Sequence, residues 1–323
     1  PENFALGIRE LQASGCNIIC DDITYITEPF FTDGAVAEAV NDVTALGVAY
    51  FTAAGNFNSN SYEATFSPVS TPSGITGFAH DFGGGDIFQS VTLAPGNYTI
   101  VLQWEDDFYS LSKSATGAAN DFDIYLTDDA GKILLGYNRV NIGNDPYEVL
   151  PVSVRSSTNA NIMIVRANPV GANARLKYIV YRGNLTQNEY LTGTSTVVGQ
   201  ANSASAITVG AANFSYMDPV THQCHDTPVY TASFSSRGGT VMNSVDRHKP
   251  DFVAPNGFKT TVNLGGMKCA GDISSSYNFY GTSAAAPHAA AVGALLQQAK
   301  KKYYDQSFTP EQIRSILQST AAD

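Results

Sequence analysis

The segment Tyr280-Gly281-Thr282-Ser283-Ala284-Ala285-Ala286-Pro287-His288 carries the most information about how this sequence folds. A serine followed by small residues predicts the first turn of a tightly packed helix, and Gly281 allows a sharp turn before it. The hydroxyl of Ser283 is then expected at the positive end of the helix dipole. The helix should continue to Lys302, and its first four turns are almost entirely Ala, Val, Gly and Leu. This composition predicts a helix that is buried on all sides.

Predicted strands and helices alternate in the sequence on both sides of a middle region. Helices are predicted over about 4–11, from Gly34 to Leu46 with Asp33 as its cap, and after the capping residues Thr309-Pro310-Glu311-Gln312. Buried strands are predicted at 17–20, 48–54 and 206–211. These strands lack polar alternation, which favours a parallel sheet that is covered on both faces. The two ends of the chain therefore predict one α/β domain.

The middle region has a different pattern. Tyr98, Ile100, Leu102 and Trp104 alternate with polar or smaller residues, and similar short strands follow at intervals of about ten residues. Turn residues separate these strands, which is typical of an antiparallel β-sandwich. We therefore expect a discontinuous α/β domain at 1–72 plus 185–323, interrupted by an inserted all-β sandwich at 73–184.

The nine-residue segment around Ser283 resembles the nucleophile motif of the subtilisin-like serine proteases (subtilases, peptidase S8). Further similar segments are Ala53-Ala54-Gly55-Asn56, Ile207-Thr208-Val209-Gly210-Ala211, Ser233-Phe234-Ser235-Ser236-Arg237-Gly238 and Lys249-Pro250-Asp251-Phe252-Val253-Ala254-Pro255. The resemblance covers about 1–70 and 193–323. It implies a three-layer, parallel-sheet subtilisin-like fold, and the inserted sandwich resembles the prepeptidase-type modules of secreted proteases.

The resemblance also implies roles for individual residues. Ser283 would attack the peptide carbonyl, while the Asn56 amide and the backbone N–H of Ser283 would form the oxyanion hole. The segments that would flank the substrate are Cys20, Asp21, Asp22 and Ile23 on one strand and Ala53, Ala54 and Gly55 on another. The paired aspartates suggest a preference for a basic P1 residue. Because adjacent strand residues face opposite ways, at most one of them can point into the pocket.

The sequence departs from the family pattern at the catalytic histidine. Subtilases carry an aspartate and a His-Gly-Thr motif before the pocket strand, and this sequence contains no His-Gly-Thr. None of the five histidines is predicted to be the catalytic base, and His288 is expected to have a packing role. The sequence is interpreted as a nucleophile-bearing fragment, cut inside the fold at both ends and inactive by itself. The strand at Asn17–Asp22 is then expected at a sheet edge covered by the missing N-terminal piece or by another chain.

Cysteine and acidic residues give further expectations. Cys16 and Cys20 are predicted to be buried thiols that lie too far apart to bridge. For Cys224 and Cys269 a structural disulfide, free thiols and a metal site with His222 and His225 remain open. No cofactor is expected to be required. Acidic pairs such as Asp121 with Asp123 and Asp128 with Asp129 suggest either structural Ca²⁺ sites or solvated turn carboxylates.

Composition excludes several classes of function. The 323 residues carry 18 Lys and Arg against 29 Asp and Glu, and the net charge of −11 argues against a nucleic-acid partner. No run of eighteen apolar residues is present, so no membrane span is predicted. Few lysines, with abundant Gly, Ser, Thr and Asn, suggest a secreted or cell-envelope protein.

Three functional hypotheses follow from these patterns. The first is a serine endopeptidase of the subtilisin type that forms an acyl-enzyme on Ser283. The second is a catalytically degenerate subtilase that serves as a binding or scaffold protein through its β-sandwich. The third, an unrelated α/β hydrolase, requires a Gly-x-Ser-x-Gly elbow after a strand, and the sequence has none.

Overall fold

A computed structural model describes residues 1–112, 114–168, 171–217, 224–263 and 277–321, with the backbone only for 214–217 and 224–229. The chain divides into two compact units. The first unit comprises Pro1–Glu28, Asp33–Asn58 and Thr194–Asp323, and the second comprises Pro29–Thr32 and Ser59–Gly193. Cys269 and His222 are not among these residues, so the expectations for a Cys224–Cys269 bridge and for a metal site there lie outside the described residues.

The helices are α1 (Glu2–Ala13), α2 (Ala35–Ala45), α3 (Thr282–Tyr304) and α4 (Pro310–Ser319), with a short 3-10 helix at Gly199–Asn202. The strands are β1 (Ile18–Asp21), β2 (Ala49–Ala53), β3 (Ser61–Thr65), β4 (Pro68–Ser70), β5 (Phe78–His80), β6 (Gln89–Leu93), β7 (Gly96–Trp104), β8 (Phe122–Thr127), β9 (Ile133–Tyr137), β10 (Tyr147–Val154), β11 (Thr158–Arg166), β12 (Arg175–Arg182), β13 (Leu185–Asn188), β14 (Ile207–Met217), β15 (Cys224–Thr231), β16 (Phe252–Asn256), β17 (Phe258–Thr260) and β18 (Tyr277–Phe279). Among the described helices, none is long and apolar enough to cross a membrane.

The first unit is built on a largely parallel sheet. Its described strands follow the order β1-β2-β14-β15, with β16 also paired to β14, and only β15 runs antiparallel. All five residues of β2 are buried, as expected for a strand covered on both faces. The mixed α/β architecture predicted for the ends of the chain is therefore confirmed. In the described strand order β1 stands at the end of the sheet.

Helix α3 packs on this sheet through small side chains. Ala285, Ala289 and Gly293 are buried, and a Cβ on Gly293 would come within 2.8 Å of the Phe51 ring. The prediction that α3 is buried on all sides is wrong, because Leu295 is 63% exposed. The small residues instead reflect the close approach of one helix face to the sheet, for which an apolar stripe is sufficient.

The helix termini show where local patterns succeed and fail. Thr309 forms the predicted capping box at the start of α4. The predicted Asp33 cap of α2 is wrong, because Asp33 forms an ion pair with Arg247. The N–H groups of Val36 and Ala37 donate instead to Glu28 Oε1, at 3.0 and 3.2 Å. The buried carboxylate of Glu28, which precedes the helix in the chain, thus caps the N-terminus of α2.

The second unit contains two antiparallel sheets. One has the strand order β10-β7-β12-β3, and the other has β13-β6-β11-β5-β4 with β8 and β9 paired beside β11. Side chains of both sheets, among them Leu102, Trp104, Phe122 and Ile164, form one buried hydrophobic cluster. Strand β3, which the sequence pattern did not predict, pairs with β12 in this unit.

Candidate active site

Ser283 lies in the first turn of α3, just after a conformation that requires glycine. The N-cap residue Gly281 has φ 120°, in the left-handed region. Its N–H points to the side-chain oxygen of the fully buried Asn256 at 3.5 Å, and Asn256 in turn donates to the Ala212 carbonyl at 2.7 Å. Gly281 therefore holds the chain in place immediately before Ser283.

The Asn56 side chain is oriented by the residue next to the serine. Both the backbone N–H and the hydroxyl of Thr282 donate to Asn56 Oδ1, each at 3.1 Å. Since two donors engage the oxygen, the amide nitrogen must point the other way. Asn56 Nδ2 indeed lies 3.5 Å from an ideal Cβ built on Gly281, and Ser283 Cβ lies 3.6 Å from the same point. The Asn56 amide nitrogen and Ser283 Cβ therefore both lie next to Gly281.

The end of β2 is fixed to the same turn. The Gly55 N–H donates to the Thr282 hydroxyl at 3.1 Å, and the Gly55 carbonyl accepts from Ser236 N–H at 2.9 Å. Gly55 has φ 90°, and a Cβ there would lie 2.5 Å from the Phe57 ring. Thr282 thus links the loop that carries Asn56 to the start of α3, because its backbone N–H donates to this loop and its hydroxyl both donates to it and accepts from it.

The two aspartates at the end of β1 have different environments. Asp21 is 8% exposed, and its carboxylate accepts from the Tyr50 hydroxyl and from Thr52 Oγ1, the latter at 2.7 Å. Burial raises the pKa of Asp21 to about 6, although both hydrogen bonds act against the shift. Asp22 is exposed. Partial desolvation raises the pKa of its carboxyl, and the polar side chain of Ser283 offsets part of this shift.

The raised pKa of Asp21 predicts a pH-dependent stability. The folded protein binds this proton more tightly than the unfolded chain, whose aspartate titrates near 3.8. The stabilisation is therefore complete below about pH 4 and is lost as the pH rises through about 6, a change of about 2 to 3 kcal/mol. Urea unfolding at pH 4 and pH 7 should show this loss in the wild type and much less of it in Asp21→Asn. Surface Asp42→Asn is the control, and equal pH dependence in Asp21→Asn and wild type would contradict the prediction.

Comparison with known proteins settles the family. A sequence model described as the Subtilase family (Peptidase S8) matches residues 2–323. The chain belongs to the subtilase family. The structure of the CspB protease of Clostridium perfringens aligns with 99% of this subtilase chain, with a TM-score of 0.56 and 14% sequence identity. The TM-score shows a similar fold, and the chain spans 64% of the length of that protease.

A second match is of a different kind. An acetyl xylan esterase from the rumen bacterium Butyrivibrio proteoclasticus aligns with 40% of the subtilase chain and 30% of its own, at 13% identity. Its TM-score is 0.21, which does not indicate a common fold.

Three histidine side chains of the subtilase are described, and each has its contacts away from Ser283. His288 packs edge-on against Phe258, with ring centroids 4.1 Å apart, in agreement with the expected packing role. His80 is buried in the second unit against Tyr62, and burial lowers its pKa to about 4. His248 is exposed beside Asp246. His222 and the side chain of His225 lie outside the described residues.

The cysteines and acidic pairs also have defined positions. Cys16 and Cys20 are both free, as predicted, but the expectation that they are buried is wrong. Cys16 is half-buried and Cys20 is exposed, because it lies on the outermost described strand β1. Within the described residues, no group of three or more His, Cys, Asp or Glu side chains could hold a metal ion. Asp128 accepts from two backbone N–H groups of its own turn, those of Ala130 and Lys132.

Sequence reasoning missed three contributors to this site. Thr282 was quoted only as part of a motif, yet it orients Asn56. Asn256 supports Gly281 and directly follows the recognised segment that ends at Pro255, a position that could have drawn attention to it. The effect of Ser283 on the pKa of Asp22 could not be read from local sequence, because the two residues lie in distant parts of the chain.

Proposed function

We propose that this subtilase is a serine endopeptidase that hydrolyses peptide bonds through an acyl-enzyme on Ser283. The observation that carries the proposal is the orientation of Asn56: Thr282, the residue before Ser283, holds the Asn56 side-chain oxygen by two hydrogen bonds, and the amide nitrogen lies next to Gly281. An oriented N–H donor near a nucleophile stabilises the negative charge that develops on the substrate oxygen in the transition state. The Ser283 N–H lies in the first turn of α3, where N–H groups have no acceptor within the helix. It would supply the second donor.

The chemistry requires no cofactor. Ser283 Oγ forms a bond to the substrate carbonyl carbon, and the carbonyl electrons move to the oxygen that Asn56 and the Ser283 N–H stabilise. A general base takes the Ser283 hydroxyl proton during the attack and passes it to the amine nitrogen as the C–N bond breaks. The released amine leaves an ester on Ser283, which water hydrolyses with the same base taking the water proton and returning it to Ser283 Oγ. Residues Cys20, Asp21, Asp22 and Ile23 and residues Ala53, Ala54 and Gly55 would border the bound polypeptide. Asp21 would act through the backbone, since its carboxylate is bonded to Tyr50 and Thr52.

The setting of the enzyme is part of the proposal. Subtilases are commonly extracellular, and the composition of this chain fits a secreted or cell-envelope location. The edge of β1 would be covered by an N-terminal segment or by another chain, because the described sheet ends at this strand. Residues 73–184 would form the inserted sandwich domain, and any bound Ca²⁺ there would be structural.

Covalent labelling tests the proposed function. The full natural chain is treated with a fluorophosphonate probe, and the modified peptide is identified by mass spectrometry. We expect an adduct at Ser283 and none at Ser14, an ordinary serine at the end of α1. Running residues 1–323 in parallel tests the expectation that an upstream segment is needed. Failure of the natural chain to react at Ser283 would contradict the proposal and favour a degenerate subtilase that binds partners through its sandwich.

A further inference from the structure

The second unit contains a polar cavity of about 340 Å³ between two of its loops. The loop between β9 and β10 contributes Arg139, Asn141 and Asp145, and the loop between β7 and β8 contributes Tyr109. Small-molecule sites have volumes of roughly 300–1,000 Å³. The cavity is therefore large enough for a small ligand, and none of its residues belongs to the site around Ser283.

Hydrogen bonds fasten the two loops to each other. The Asn141 N–H donates to the buried carboxylate of Asp121 at 2.9 Å, and the Ser110 N–H donates to Asp145 Oδ1 at 2.8 Å. Gly117 has φ 63°, and a Cβ there would lie 2.6 Å from the backbone of the facing loop. The cavity is thus preformed, so that a ligand would not have to order its walls.

Two side chains of this cavity have acceptor atoms that the protein leaves unused. Asn141 is 3% exposed, and its amide nitrogen donates to the carbonyls of Asp145 and Tyr147. Its side-chain oxygen is buried and has no hydrogen-bond partner among the described residues. Asp145 accepts through Oδ1 from Ser110, while no group in the described part of the chain donates to Oδ2. A buried acceptor without a donor is destabilising, and a ligand that supplies a hydroxyl would satisfy it.

The cavity also presents N–H donors and aromatic surface. The Arg139 guanidinium lies over the rings of Tyr137 and Tyr147, with its central carbon 5.2 and 5.5 Å from their centroids. Its Nε lies 3.6 Å from the fully buried carboxylate of Glu148. These contacts fix the arginine but do not use all of its N–H donors. Tyr109 is 56% exposed, so its ring is available to a ligand.

The combination of these groups favours a neutral ligand that is rich in hydroxyl groups. A hydroxyl both donates and accepts, so neighbouring hydroxyls of one sugar can donate to Asp145 and accept from Arg139. An anion would be repelled by the Asp145 carboxylate, and a cation would be repelled by Arg139. Peptide amides also donate and accept, but the small volume favours a compact ring over an extended chain.

We propose that the second unit binds a neutral saccharide in the cavity between its β7–β8 and β9–β10 loops. Asp145 and Asn141 accept from the sugar hydroxyls, and Arg139 donates to them. The exposed ring of Tyr109 covers the apolar face of the sugar. The bound sugar belongs either to a polysaccharide or to the glycan of a glycoprotein. Binding does not require Ser283, so the inference is independent of the proposed peptidase function.

Isothermal titration calorimetry tests the site in the full natural chain carrying Ser283→Ala, which removes any peptidase activity. The probes are neutral tetrasaccharides of glucose, mannose, galactose or N-acetylglucosamine, and at least one should bind. Tyr109→Ala removes the exposed ring. Asp145→Asn replaces the Oδ2 acceptor with a donor, while its remaining oxygen can still accept from Ser110. Each change should weaken binding by roughly tenfold or more.

A tyrosine of the first unit provides the control. Tyr303 lies in α3 and is 71% exposed, so Tyr303→Ala makes the same chemical change and should leave binding unaltered. Thermal unfolding verifies that each variant is folded. Retention on insoluble cellulose, chitin or mannan would identify a polysaccharide as the source of the sugar. Retention on an immobilised glycoprotein that is lost after enzymatic deglycosylation would identify a protein glycan.

The outcomes are separate from those of the labelling experiment at Ser283. Saccharide binding that both cavity variants weaken and Tyr303→Ala leaves unchanged supports the proposal. Failure of every tetrasaccharide to bind at millimolar concentration overturns it, and so does binding that neither cavity variant affects. An unglycosylated peptide mixture is titrated in the same way. If peptides bind in place of saccharides and Tyr109→Ala weakens them, the cavity is a peptide site and the proposal is wrong.

Discussion

Ser283→Ala is expected to lower the rate of peptide hydrolysis by roughly 10⁶-fold, the scale of loss when a serine protease is deprived of its nucleophile. No other group can form the acyl-enzyme, so the remaining rate would reflect only water attack beside the oxyanion donors. The measurement is the cleavage rate of a library of internally quenched peptides by the full natural chain. The fold should survive the change, because alanine is the best helix former and the Ser283 side chain does not cap α3.

A matched serine provides the control for this loss. Ser315 is an exposed residue within α4, so Ser315→Ala makes the same chemical change in a helix away from the site. Its hydrolysis rate should equal that of the wild type. A Ser283→Ala variant that cleaves peptides within tenfold of the wild-type rate would show that Ser283 is not the nucleophile.

Asn56→Ala is expected to lower kcat by roughly 10²- to 10³-fold while KM changes little. The amide donates to an oxygen that carries full negative charge only in the transition state, so its removal affects the chemical step more than substrate binding. Steady-state kinetics with the best peptide from the library measures both constants.

Asn56→Asp tests the N–H donor separately from the attachment of the loop. One aspartate oxygen can still accept from both donors of Thr282, so the loop keeps its attachment to α3. The other oxygen replaces the N–H group and repels the developing oxyanion, and kcat should fall at least as far as in Asn56→Ala. Thr282→Ser retains the hydroxyl and should cost little. An Asn56→Asp enzyme with near wild-type kcat would exclude Asn56 as the oxyanion donor.

The parts of the fold that were predicted from sequence are those set by local pattern. The strand at β2 was evident from a continuous apolar run, and the capping box of α4 from Thr309 and Gln312 three residues apart. The cap of α2 was missed because the acceptor is Glu28, eight residues before Val36, whereas the adjacent Asp33 is paired with Arg247. The composition of α3 predicted burial on all sides, but its small residues allow close packing on one face only, and Leu295 on another face is exposed.

The site was predictable to the extent that family motifs name its residues. Ser283 and Asn56 were identified by resemblance, but the contact that orients the amide joins residues 226 positions apart. Which of the two adjacent aspartates is buried depends on the hydroxyl groups of Tyr50 and Thr52, which no local pattern relates to β1.

The attachment of Asn56 to Thr282 also bears on how a proteolytic enzyme avoids destroying itself during its own synthesis. Contacts between residues so far apart in sequence carry a large loop-closure cost and form only when the surrounding structure has assembled. Until then the amide is not oriented toward Ser283, and a nascent chain lacks the donor that stabilises the oxyanion. If the proposed peptidase function holds, catalytic power appears together with the native structure. Unfinished copies, which expose the most cleavable backbone, would then be the ones least able to cut their neighbours.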